Sequence, residues 1–175
     1  MDLSKIHCLS IRYDGISNVA ACSVKVCYPQ SILSADEAQI SDDCIGIWDT
    51  GATGSAITEL FAAKIGLKPV GRKKVSGLGG TIDKNRYLID VILPNNVRVP
   101  DLSVTEIDNP IDDDGNKLET FGMLIGMDII CRGDFSLTNY EGKTVMSFRM
   151  PSMFKNDYVD EWNRRQAVQN KYKRR

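Results

Sequence analysis

Apolar and polar positions alternate in short runs along most of this chain, a rhythm that predicts strands rather than long helices. Two such runs near the start, Ile6 to Tyr13 and Val19 to Tyr28, flank Asp14-Gly15 and predict a hairpin. Residues 30–43 are polar (Ser31, Ser34, Asp36, Glu37, Asp42, Asp43) and predict a loop. Cys44 to Trp48 is a short apolar run that stops at Asp49-Thr50-Gly51, as a buried strand does when it ends in a tight turn. Thr58 to Ile65 predicts a short helix: Thr58 can cap it, Glu59 suits its first turn, Gly66 can end it, and Pro69 blocks its continuation. Glycines 77, 79 and 80 among β-branched residues of Val75 to Ile82 predict a flexible hairpin tip. Strands follow over Tyr87 to Leu93 and Val97 to Ile107, then a polar loop over 108–120. Phe121 to Ile130 is the most apolar segment, and Asp134 to Thr138 with Lys143 to Phe148 predict a hairpin about Glu141-Gly142. Beyond Pro151, Asn156 or Asp157 can cap a helix with Asp160 and Glu161 in its first turn. Its far end carries Lys171, Lys173, Arg174 and Arg175, a charge order that suits the helix dipole. The expected organisation is an N-terminal extension over 1–43 (a hairpin and a loop), a central domain over 44–150 and a basic helical tail over 151–175.

Composition narrows the function. The 175 residues suit one domain, and 42% apolar with 26% charged residues suits an ordinary globular protein. The 22 basic and 23 acidic residues nearly cancel, so no overall field draws the chain to nucleic acid or membrane. Met1 to Ser4 lacks the basic start of a secretory signal, and no apolar run has the length of a membrane span. The five cysteines (8, 22, 27, 44, 131) are odd in number and form no CxxC, which points to reduced thiols and a cytoplasmic protein. His7, Cys8, Cys22 and Cys27 do not have zinc-site spacing, and Asp112 to Asp114 lack the remaining ligands of a calcium loop. The glycines at 77–80 have Lys73 and Lys74 nearby but no Lys-Ser/Thr after them, so a phosphate loop is disfavoured. No metal and no cofactor is expected. The basic tail, with Trp162 and Tyr172, reads as a solvated helix face in preference to a nucleic-acid surface.

The segment that carries chemistry is Ile45-Gly46-Ile47-Trp48-Asp49-Thr50-Gly51-Ala52-Thr53. A glycine-rich Gly77-Leu78-Gly79-Gly80 and a later Leu124-Ile125-Gly126 follow in order. This ordered set resembles the retropepsin family of aspartic proteases over residues 44–150, and the helix after Thr58 resembles that of its cellular and bacterial members. The resemblance implies a mainly β, closed and twisted barrel-like fold with a short helix. It implies Asp49 as the catalytic carboxylate, supported by Thr50 and Gly51. It assigns Ala52, Gly77, Leu78, Gly79 and Gly80 to substrate binding and a flap, and Leu124, Ile125 and Gly126 to support of the active-site turn. Thr50 is implied to hydrogen-bond across a twofold axis. The chain has no second Asp-Thr-Gly or Asp-Ser-Gly, so a two-carboxylate site implies a homodimer. The implied substrate is an extended polypeptide.

The chain departs from the retroviral pattern at two linked places. An Asp two residues after the motif glycine and an Arg after the later glycine are usual there; here these are Thr53 and Met127. Asp128 is the candidate for part of the missing role. The competing functional reading keeps the fold without the hydrolysis, as a dimerisation or peptide-binding module.

Overall fold

The computed structural model describes residues 5–33, 40–77 and 80–173. Its strands are β1 His7–Arg12, β2 Ala21–Cys27, β3 Ser41–Trp48, β4 Ala56–Thr58, β5 Gly71–Gly77, β6 Gly80–Ile92, β7 Arg98–Ile107, β8 Phe121–Ile125, β9 Asp134–Tyr140 and β10 Lys143–Met150. Its helices are α1 Glu59–Lys64, α2 Met127–Ile130 and α3 Tyr158–Lys173.

Six strands close on themselves. β2 runs antiparallel to β3, β3 parallel to β8, β8 antiparallel to β4, β4 parallel to β7, and β7 antiparallel to β6. β6 returns to β2 through Lys25↔Ile92, Val26↔Val91 and Cys27↔Asp90. Closure satisfies both edges of each of these strands. Alternation does the rest: in β2, Cys22, Val24 and Val26 are buried while Ser23 is exposed. β5 lies outside the barrel and, among the described strands, pairs with β6 alone.

The remaining strands form a three-stranded sheet in the order β1-β10-β9. Leu9, Met146 and Phe148 are buried in the same core as the barrel residues. Trp48, the last residue of β3, stacks on Phe135 of β9 with ring centroids 5.6 Å apart and an interplanar angle of 20°. It also meets Phe148 of β10 at 5.0 Å. The indole N–H donates to Cys22 Sγ at 3.3 Å, so its polar edge is satisfied inside the core.

The expected N-terminal hairpin is corrected. β1 and β2 form, but β1 pairs with β10 and β2 with β3 and β6. The Asp14-Gly15 segment leads from one sheet to the other. The Tyr13 amide donates to Thr144 O, the Thr144 amide to Gly15 O (both 3.0 Å), and the Ser17 amide to Thr144 Oγ1 (2.8 Å). Strand periodicity shows which face is apolar but not what that face meets; here Leu9 lies opposite Phe148, and Ile11 opposite Met146. β2 is a strand of the barrel. β4 and α2, three and four residues long, were not anticipated. The loop expected over 30–43 holds a 3-10 turn at Gln30–Ile32 and runs into β3 at Ser41; its Ser34, Asp36 and Glu37 lie outside the described residues.

Other local expectations hold. Thr58 Oγ1 accepts from the Phe61 amide and caps α1, and Gly66 follows with φ 67°. Glu141 and Gly142 both have positive φ in the β9–β10 turn. Asp157, not Asn156, caps α3, accepting from the Val159 and Asp160 amides at 3.1 Å. The helix is solvated, with Trp162 62% exposed. All five cysteines are free, and burial pushes the Cys44 thiol up to about 12.

The chain leading to α3 is fastened to the three-stranded sheet by Asp134. Its carboxylate accepts from Ser152 Oγ, from the Met153 amide (3.0 Å) and from Arg149 Nε (3.0 Å). The Ser152 hydrogen bond foremost, then the Met153 amide and Arg149, lower its pKa to about 2. A carboxyl with its folded pKa below the usual value near 4 adds stability that is complete above that value and is lost as pH falls toward 2. Urea unfolding midpoints measured from pH 5 to pH 2 should therefore fall less steeply for Asp134→Asn than for the wild type.

Candidate active site

β3 carries Asp49 to the end of the barrel, where the chain turns through Thr50 and Gly51. Asp49 is half-buried and Thr50 is exposed at the tip. The Gly51 amide donates to Asp49 Oδ1 at 2.8 Å, and the Ala52 amide to Asp49 O at 3.3 Å. The side chain is thus held by the backbone of its own turn. A Cβ at residue 51 would lie 3.2 Å from that oxygen, tight enough to disturb it.

The second wall of this turn comes from β8, which lies between β3 and β4. Ile47 pairs with Leu124 and Trp48 with Ile125, while Ala56 pairs with Leu124 on the other side. The Asp49 amide donates to Ile125 O at 2.9 Å, and the Met127 amide to Ala52 O at 2.8 Å. Gly126 lies where the two segments touch. A Cβ there would sit 2.5 Å from the Gly54 carbonyl carbon and 2.8 Å from the Ser55 nitrogen. The Gly126 amide donates to Ser55 Oγ at 3.0 Å. Ser55 Oγ donates to Asp128 Oδ1 at 2.7 Å, and the Ser55 amide to Asp128 Oδ2 at 2.9 Å.

The structure therefore brings together Asp49, Gly51 and Ala52 with Leu124, Ile125 and Gly126. Gly77 and Gly80 are not in this hydrogen-bonded group. They face each other in register at the end of the β5–β6 hairpin, Gly80 with φ 111°. Leu78 and Gly79 lie outside the described residues. The hairpin extends past the barrel, because β6 pairs with β7 only from Arg86 onward. Its root is fastened: Lys84 is paired with Asp108, and Asn85 Nδ2 and Tyr87 Oη both donate to Glu106. Burial first, then the bond to Glu106, pushes the Tyr87 hydroxyl up to about 12.

Thr53 is exposed and Met127 half-buried, so the retroviral ion pair has no counterpart at these positions. Asp128 was anticipated as a partial substitute, but Ser55 was missed. The signal available was a small hydroxyl residue soon after the Asp-Thr-Gly and a carboxylate two residues after the later glycine. Among the described residues, no three His, Cys, Asp or Glu side chains converge as metal ligands would. No described helix is long and apolar enough to cross a membrane.

Residues 43–129 match the sequence model of the aspartyl protease family. This span, just under half of the chain, is thus similar to the aspartyl protease family. The matched span begins one residue before the apolar run of β3 and ends just after Asp128, so it includes both halves of the laced turn. The architecture is mainly β, with a closed six-stranded barrel and short helices, as expected from the sequence. Among solved structures, the chain is similar to a retropepsin-like aspartic protease from Rickettsia conorii. That match has 11% identity and a TM-score of 0.46, covering 83% of this chain and 94% of the other. No curated protein sequence matches the chain.

The glycine at 126 admits a direct test. Gly126→Ala forces the Gly54 carbonyl away from β8 and should destabilise the protein by about 3 kcal/mol, at the upper end of overpacking effects. Denaturant unfolding of the variant against Gly46→Ala would measure it. The residue 46 Cβ would meet only side-chain atoms, at 3.0 Å and beyond, so its loss should be smaller.

Proposed function

We propose that the protein is an aspartic endopeptidase whose active unit is a homodimer, with one Asp49 from each copy forming the dyad. The observation that carries this reading is the Asp49 turn. One carboxylate is held by the Gly51 amide at an exposed tip, and the sequence has only one such motif. Peptide hydrolysis by this chemistry needs two carboxylates, so a twofold axis must supply the second.

The chemistry follows from like-charge repulsion, a property established for aspartic proteases generally. Two carboxyl groups a few ångströms apart cannot both ionise, so one pKa rises while the other falls. The ionised carboxylate takes a proton from a water whose oxygen bonds to the scissile carbonyl carbon. The neutral carboxyl gives its proton to the carbonyl oxygen. Collapse of the tetrahedral diol re-forms the carbonyl, breaks the C–N bond and protonates the leaving amine. The pair titrates as a unit. Thr50, exposed at the turn tip, is in this reading the residue that hydrogen-bonds across the axis. Ala52 and the 77–80 hairpin tip contact an extended polypeptide, and glycines there allow the hairpin to open before it closes. Leu124, Ile125 and Gly126 support the turn. The chemistry requires neither a metal nor a cofactor.

The test is digestion of a diverse peptide pool from acidic to neutral pH, with the mass of each assembly measured alongside. Wild type should cleave; Asp49→Ala should be dimeric and inactive, and only the wild type should bind a statine-type transition-state analogue. A dimeric wild type that cleaves nothing at any pH would instead assign the fold to peptide binding.

A further inference from the structure

We infer that Asp128 is a positioning residue for the active-site turn, acting on Asp49 through Ser55 and Gly126. The inference extends the proposed hydrolytic reading and rests on it for its kinetic consequence; its structural consequence stands separately.

Both oxygens of the Asp128 carboxylate go to a single residue. Oδ2 accepts the Ser55 amide and Oδ1 the Ser55 hydroxyl. Ser55 is 2% exposed, so neither its N–H nor its hydroxyl has bulk water as an alternative partner. Because Ser55 Oγ also accepts from the Gly126 amide, the direction of the chain of donors is set: Gly126 N–H to Ser55 Oγ–H to Asp128 Oδ1. An ionised carboxylate accepts at both ends of this clamp without needing a proton of its own. It belongs to the first turn of α2, and Arg132, just beyond the end of that helix, donates from Nε to the Asp128 backbone carbonyl, leaving the side chain to Ser55.

The clamp lies beside the two bonds that set the turn itself, Asp49 N–H to Ile125 O and Met127 N–H to Ala52 O. Without the carboxylate, the buried Ser55 N–H has no acceptor. The strand end at 54–55 is then free to leave the tight contact at Gly126. That contact spaces the Asp49 turn from β8, and a dyad on a twofold axis doubles any displacement, because both copies shift together. Asp128 does not need to touch substrate, so its effect should fall on the chemical step rather than on binding. Asparagine preserves most of the clamp. Its oxygen can accept the Ser55 amide and its NH₂ can donate to Ser55 Oγ, at the expense of the hydroxyl's own donation.

The experiment compares full-length wild type, Asp128→Ala, Asp128→Asn and Ser55→Ala. It uses one peptide chosen from the pool that the wild type cleaves, together with amide hydrogen exchange of each protein. Asp128→Ala should lower kcat about 100-fold, the scale of an ångström-level misplacement, with KM within about threefold. Asp128→Asn should recover to within about tenfold of wild type. Exchange should quicken over residues 49–55 in Asp128→Ala, while β6 and β7 keep their protection. Should Asp128→Ala not fold, Ser55→Ala carries the same test, because it removes only the hydroxyl arm. Wild-type kcat in Asp128→Ala, no recovery in Asp128→Asn, or exchange quickened evenly through the barrel would each overturn the inference. If the wild type cleaves nothing, the proposed function falls. The exchange pattern then still decides whether Asp128 holds the turn.

Discussion

At Gly126 the backbone at the start of α2 lies against the Gly54 carbonyl so closely that a methyl group would sit 2.5 Å from the carbonyl carbon. Two strands that approach this closely expose their amides and carbonyls to each other, and burial requires those groups to be paired. Ile125 O and Ala52 O accept amides from the opposite segment, and Ser55 with Asp128 pairs the Gly126 and Ser55 amides. The Asp49 turn has little of its own to hold it, since Thr50 and Gly51 are exposed. Its position is inherited from this contact, and the contact exists only because residue 126 has no side chain.

The barrel explains how two distant segments come to this meeting. β8 lies between β3 and β4, parallel to one and antiparallel to the other. The chain passes from β3 through the Asp49 turn into β4, and the strand that fills the gap arrives more than sixty residues later. A parallel neighbour cannot be reached by a tight turn, so the long excursion through α1, the β5–β6 hairpin and β7 is a topological necessity. That excursion also yields the hairpin that overhangs the barrel, anchored at its root by Lys84–Asp108 and by Glu106. The three-stranded sheet is coupled to the same place. Trp48, immediately before Asp49, is stacked on Phe135 and packed against Phe148. A shift of that sheet would be felt at the residue adjoining the candidate carboxylate.

Local chemistry alone determined a good deal. The tight turn at Asp49-Thr50-Gly51, the capped helix after Thr58, the hairpin about Glu141-Gly142 and the charge order of the terminal helix each depend on residues adjacent in sequence. Each was legible for that reason. The ordered motifs carried the family resemblance, and their glycines have distinct reasons: a side chain at 126 would meet backbone, and one at 51 the Asp49 carboxyl group. Pairing partners were not legible. β1 and β2 read as a hairpin because their sequences are strand-like and Asp14-Gly15 separates them. Only the apolar faces of β10 for β1, and of β3 and β6 for β2, decided otherwise. β4 was invisible because three residues give no periodicity. Ser55 was missed because it is an ordinary hydroxyl until the fold buries it against a carboxylate 73 positions away. The sequence by itself determined where the chain turns and which residues have the chemistry to act. The tertiary structure decided which segments meet, because long-range contact depends on complementary faces and closed hydrogen-bond ladders that no local stretch contains.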